Sequence, residues 1–134
     1  MAKVKTKNLC GAKLNYAVAA ALGHSIHIDA VLYGHVMHGP WISGHVHDHN
    51  VWIQLYQFRP SENWARDGQI IEDHIDRLIR ISDNEWVAQI NYYSCPELCH
   101  LGHGETPLIA AMRCFVLAKL GDEVDIPEKL FIGA

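Results

Sequence analysis

Ten histidines in a chain of 134 residues carry the most chemical content here, because neutral imidazole is the commonest protein ligand for metal ions. The densest run is Gly44-His45-Val46-His47-Asp48-His49. On one extended strand the two-residue period projects His45, His47 and His49 from the same face, and three imidazoles converging there suit zinc. Asp48 then points the other way. The simpler alternative is a polar turn that carries solvated histidines. A second group, Cys95, Cys99, His100 and His103, places four metal-ligand residues within nine positions. Structural zinc sites draw on two knuckles of tighter Cys-x-x-Cys spacing. Here the cysteines are separated by three residues, so a second knuckle has to come from elsewhere, such as the histidine run. Reduced thiols in a loop are the plainer reading.

A third constellation could hold an anion. Arg59, Ser61, Asn63, Trp64 and Arg66 cluster where helical periodicity begins, and Arg113 on a later helix could line the same cleft or pair with Glu72 or Asp73. Free backbone N–H groups at a helix start, with arginine beside them, suit phosphate or carboxylate, and a tryptophan could stack on a base. Capping by Ser61 or Asn63, with Trp64 anchored in the core, explains the same residue types more simply. The histidine run is one residue short of the His-x-His-x-Asp-His pattern of metallo-β-lactamase-type hydrolases, and no long apolar strand precedes it. No phosphate-cradling glycine loop and no Ser/His/Asp order is present. Cys114 reads as a small core residue, and Cys10 has no neighbouring histidine in sequence to activate it.

These residues need elements to position them. Hydrophobic residues make up 49% of the chain and charged residues 19%, enough for one domain, residues 1–134, with a real core. The net charge of −4 argues against a protein whose main task is to grip a nucleic-acid backbone. Lys3, Lys5, Lys7 and Lys13 read as a solvated N-terminal arm in preference to a phosphate-binding tail. No run is long enough for a transmembrane helix and no signal peptide is evident, so a cytoplasmic protein with its four cysteines reduced is expected.

Leu9, Leu14, Ala17, Val18, Ala21 and Leu22 repeat at helical spacing and Gly23 stops them. Extended chain follows, with Ile26 and Ile28, then Val31 to Met37, then the alternation of Val51, Ile53 and Leu55. Trp64, Ile71 and Ile75 mark a second helix, with a break or close packing expected at Gly68. Leu78 to Ile81 and Glu85 to Tyr93 form a hairpin, with Trp86, Ala88, Ile90 and Tyr92 on one face. Ser94 to Glu105 reads as a loop. Thr106 caps the last helix, Pro107 opens it, Leu108, Ala111, Met112 and Phe115 form its buried stripe, and Gly121 ends it. Asp122 to Ala134 reads as a loosely packed tail. The expected fold is α+β, a mostly antiparallel sheet of about four strands with about three helices packed on it.

Three stretches together resemble a known family. They are Lys5 to Gly23, with Leu9-Cys10-Gly11 and Leu14-Asn15-Tyr16-Ala17-Val18-Ala19; Phe58-Arg59-Pro60-Ser61-Glu62-Asn63-Trp64-Ala65-Arg66-Asp67-Gly68-Gln69-Ile70-Ile71-Glu72; and Thr106-Pro107-Leu108-Ile109-Ala110-Ala111-Met112-Arg113-Cys114-Phe115-Val116, continuing through Lys119-Leu120-Gly121-Asp122-Glu123-Val124 to Pro127. They resemble the NinX proteins of tailed phages and prophages, and are also similar to phage alpha-beta-alpha sandwich domains. Residues 24–57 and 94–105 depart from the family pattern, so the histidines and the Cys/His segment look local to this protein. The resemblance implies a phage-encoded accessory protein acting in the bacterial cytoplasm and brings no catalytic residues with it.

Three functions follow as expectations. The first is a non-catalytic binding module for a small anionic ligand such as a nucleotide, using the Arg59–Arg66 helix start and Arg113. The second is a metal-dependent hydrolase or metal-stabilised domain built on His45, His47 and His49, with zinc the only cofactor suggested. The third is an adaptor that docks a host or phage protein on a sheet edge. A homo-oligomer is compatible with all three.

Overall fold

The computed structural model describes residues 2–46, 49–54, 58–61, 64–92 and 95–127; of these, residues 40, 45–46, 49–51, 64–67, 91–92 and 95–99 are described by backbone alone. The order of elements is β1 (Ala2–Lys5), a 3-10 turn (Thr6–Asn8), α1 (Gly11–Ala21), β2 (Ser25–Leu32), β3 (His35–Val46), β4 (His49–Gln54), α2 (Trp64–His74), β5 (Arg77–Ser82), β6 (Glu85–Tyr92), β7 (Cys95–Gly104), α3 (Pro107–Leu120) and β8 (Glu123–Ile126). The α+β class, the three α-helices and the antiparallel pairing are those expected. The strands form three ribbons, ordered β1-β8, β2-β3-β4 and β5-β6-β7.

Helix α3 is the centre of the molecule. Thr106 caps it by accepting a 3.2 Å hydrogen bond from the Ile109 N–H, Pro107 opens it and Gly121 (φ 92°) closes it. Leu108, Met112, Phe115 and Val116 are buried along it with Ala110, Ala111 and Cys114. So much of its surface is apolar because it is covered from several sides: by β6 and β7, by α1 and by the end of α2. From α1 come Leu14, Ala17 and Val18; from α2 come Ile70 and the His74 ring, whose centroid lies 4.9 Å from that of Phe115.

Strand β7 reaches α3 by giving up side chains. A Cβ added to Gly102 would meet the Ala110 carbonyl and the Cys114 amide and lie 2.7 Å from Cys114 Cα. One added to Gly104 would lie 2.8 Å from the Ile109 side chain. Ala88 is fully buried beside Gly102 in the β6–β7 register, and Trp86 and Ile90 of the same face pack against the core as expected. The side chain of Tyr92 is outside the described residues.

Several local expectations give way. The stretch expected as a loop is mostly strand, since Cys95 and His100–Gly104 of β7 pair with β6. Its glycines read as breakers in sequence but serve the close helix approach. Helix α2 runs unbroken through Gly68, where an added Cβ would meet no other part of the described structure within 4 Å. The docking of Ile70 and Ile71 outweighs a glycine cost of about 1 kcal/mol. The tail is not loose at its start, because Val124 and Ile126 alternate into the core from β8. Nor is the N-terminus a solvated arm. Lys3 and Lys5 face outward from a strand whose Val4 packs inward, paired to β8 from Ala2↔Ile126 to Lys5↔Glu123.

In the β2-β3-β4 ribbon Ile26, Ile42 and Ile53 share one row, with Ile42 buried. On the opposite face His27 stacks on Trp52 at 4.2 Å and hydrogen-bonds Ser43 Oγ at 2.7 Å. Beyond the reach of β4 the β2–β3 hairpin projects, exposing Ile28, Val31, Tyr33 and Val36. His24 lies against Gly44, where a Cβ would come 2.7 Å from its Cε1, and meets the Phe58 ring edge-on at 6.0 Å. Burial holds the His24 imidazole below its usual pKa of 6.5.

Two expected outcomes follow. Gly102→Ala should destabilise the protein by about 1–3 kcal/mol through overpacking, lowering the melting temperature by several degrees; Gly68→Ala should leave stability unchanged or raise it by up to about 1 kcal/mol. Because the unfolded chain protonates His24 at a higher pH than the folded one, stability should fall as pH drops below about 6.5. Urea midpoints measured against pH should show that fall, and His24→Gln should flatten it.

Candidate functional site

A cleft of about 400 Å³ opens where the β1–β8 ribbon, the outer side of β7 and one flank of α3 meet. Its lining includes Lys5, Thr6 and Lys7, Leu101, Gly102 and His103, Arg113 and Leu117, and Asp122 with Glu123. Its size is within the ordinary range for a small-ligand pocket.

The walls are held by hydrogen bonds that the polar residues of the N-terminus make with α3. The buried Thr6 donates from its hydroxyl to the Gly121 carbonyl at 2.6 Å and from its N–H to the Asp122 carbonyl at 2.8 Å. These satisfy carbonyls left over where α3 ends. Arg113 stitches the other side: its Nε donates to the Leu9 carbonyl and its Nη1 to the His103 carbonyl, each at 2.8 Å. A guanidinium has five N–H donors in a rigid fork. Its remaining donors have no partner among the described residues. The cleft lining thus holds three formal cations, Lys5, Lys7 and Arg113, against Asp122 and Glu123. Lys5 and Glu123 are direct cross-strand partners, so Lys7 and Arg113 set the local sign in a chain whose overall charge is −4.

The residues singled out in the sequence divide among distant places. Arg113 lines this cleft and does not pair with Glu72 or Asp73; Asp73 instead accepts from Gln69. Ser61 is elsewhere, buried beside α1, where its hydroxyl and its N–H donate to Asn15 Oδ1 at 2.9 and 3.2 Å. That hydroxyl proton is therefore committed to holding the Phe58–Ser61 segment on α1. Arg59 beside it is exposed. Asn63 lies outside the described residues, as do the side chains of Trp64 and Arg66.

Of the candidate metal ligands, His45 ends up on β3 and His49 on β4. The run is not one strand, because the chain reverses between Val46 and His49, which pair with each other, while His45 pairs with Asn50. Positions 45 and 49 therefore fall in opposite phases of the pleat. His47 lies outside the described residues. Cys95 and Cys99 are placed on β7 by backbone alone. His100 and His103 are three positions apart on that strand and so project from opposite faces. His103 Nδ1 lies 3.8 Å from Glu85 Oε1, and the His100 carbonyl accepts from the buried Cys114 thiol at 3.4 Å. Among the described residues no three His, Cys, Asp or Glu side chains stand together as a metal site.

Sequence reasoning passed over Thr6, Leu101, Leu117, Asp122 and Glu123. The alternation of Val4 and Thr6 with Lys3, Lys5 and Lys7 was the signal available: it is a strand pattern, read as an arm because strong β-formers are few.

A family model described as Bacteriophage P22, NinX matches residues 5–119. No curated protein matches the chain. The matched span includes Lys5, Lys7, His103 and Arg113 of the cleft.

Asn15→Ala should cost roughly 1–3 kcal/mol in urea denaturation, because it strands two buried Ser61 donors, whereas Ser61→Ala, which keeps the backbone bond, should cost less.

Proposed function

Because the chain belongs to the NinX family of phage proteins, we propose that it is a phage accessory protein working in the host cytoplasm as a non-catalytic binding module for a small anion. The observation that carries this reading is Arg113: two backbone carbonyls fix its guanidinium at the cleft, with further N–H donors unspent and Lys7 on the rim. A guanidinium held in place before the ligand arrives loses little entropy on binding, and its fork matches phosphate or carboxylate oxygens in pairs. The cleft replaces the Ser61 helix start as the place for that ligand, since the Ser61 hydroxyl already serves Asn15. No helix among the described residues is long and apolar enough to cross a membrane.

A thermal-shift titration at low salt with inorganic phosphate, nucleoside mono- and triphosphates and a dicarboxylate tests the proposal. At least one anion should stabilise the wild type, by about 2.7 kcal/mol at a hundredfold excess over Kd. Lys7→Gln should weaken that effect, and Arg113→Lys should remove most of it, because an ammonium cannot span both carbonyls and a ligand. Absence of stabilisation by every anion tried sinks the reading.

A further inference from the structure

Three consecutive residues of β7, Leu101, Gly102 and His103, line the cleft. One face of a strand would contribute every second residue, so it is the backbone edge of β7 that forms the wall. Strand β7 is the last in the β5-β6-β7 ribbon, and β6 occupies its other edge.

The phase of that edge follows from the backbone bonds on the far side of β6. In an antiparallel ladder a residue's N–H and C=O point together, either toward the partner strand or away from it, alternating along the chain. The Gln89 carbonyl of β6 accepts from the Asp76 N–H on the β5 side, so its β7 partner Leu101 forms a non-hydrogen-bonded pair and turns outward, as does His103, whose carbonyl accepts from Arg113 Nη1. The His103 N–H therefore also points outward, and so do the N–H and C=O of Leu101, two residues earlier. Gly102, between them, turns its groups to Ala88. The cleft thus presents the Leu101 N–H, the Leu101 C=O and the His103 N–H, with no partner among the described residues, across a strand repeat of roughly 7 Å. Natural sheet edges are usually blocked by lysine, proline or a bulge. From His100 to Gly104 this edge has no such residue, and the irregularity in its pairing lies further back, between Ile90 and Tyr92 of β6.

We infer that the outer edge of β7 receives an extended acidic peptide segment of another protein, which adds to the sheet as a further strand and sets a carboxylate on Arg113 and Lys7. Main-chain bonds supply the docking and the carboxylate supplies the selection, as in other strand-addition complexes. The inference rests on the reading of the cleft as an anion site and identifies the anion as a peptide carboxylate. Charge complementarity favours an acidic segment: once Lys5 is matched by Glu123 across the ribbon, two cations face Asp122 alone.

The test is an NMR titration of the full ¹⁵N-labelled chain with a blocked Ser-Val-Glu-Val-Ser peptide, the same peptide N-methylated at alternate residues, and, separately, inorganic phosphate and ATP. The expected result is saturable binding of the first peptide, with shifts centred on the Leu101 and His103 amides and at least about a tenfold loss on N-methylation, which removes donors without touching charge. Leu101→Pro should cause a similar loss while keeping the β6–β7 ladder, because the missing N–H is one that faces away from β6. Equal binding of the N-methylated peptide overturns the inference. Binding of phosphate or ATP without the peptide overturns it too but leaves the anion reading standing, whereas no binding by any probe removes both.

Discussion

At Gly102 and Gly104 the backbone of β7 lies so close to α3 that no side chain fits between them. Most of the remaining architecture depends on that contact. It sets the depth at which the β5-β6-β7 ribbon sits on the helix, and it needs small residues on the facing side, supplied by Ala110 and Cys114. With β7 pressed to the helix, the Cys114 thiol reaches the His100 carbonyl, and Arg113 on the adjoining flank reaches the carbonyl of His103. An interior packed at crystal-like density has little freedom to absorb a change there.

The same helix organises the N-terminus. Thr6 binds its C-terminal end and Arg113 binds Leu9, so the first residues of the chain are fastened to α3 at two levels. Each bond uses a polar side chain to satisfy a backbone carbonyl that regular structure leaves over. The cleft is the space enclosed between these stitches and the edge of β7. Its cations come from residues distant in sequence, which explains a locally positive lining on a chain of net charge −4.

Histidines outside the 45–49 run take packing and polar contacts. His24 fills the space over Gly44, His27 stacks on Trp52, His74 packs on Phe115 and His103 faces Glu85. Imidazole is large, flat and able to hydrogen-bond, so it serves well as partly buried packing on ribbons with little other polar surface. Abundance of a ligand-type residue says nothing of convergence, and on β7 the pleat separates His100 from His103.

Much was legible in the residues alone. The three helices, the caps at Thr106-Pro107 and Gly121, the buried stripe of α3 and the shared face of Trp86, Ala88 and Ile90 all follow from local periodicity and local hydrogen bonding. The family, too, is carried by contiguous motifs. What the sequence could not decide is whatever depends on a partner far along the chain. Whether Gly102 and Gly104 break a strand or admit a helix is settled by Ala110 and Cys114. Whether Lys3 and Lys5 belong to an arm or a strand is settled by pairing with β8, more than a hundred residues away. Arg113 could have met Glu72, Asp73 or the Ser61 turn; it meets Leu9 and His103 because the close approach of β7 puts that carbonyl within its reach. Local physics fixes the elements, and only tertiary packing fixes which backbone edges and charges face one another.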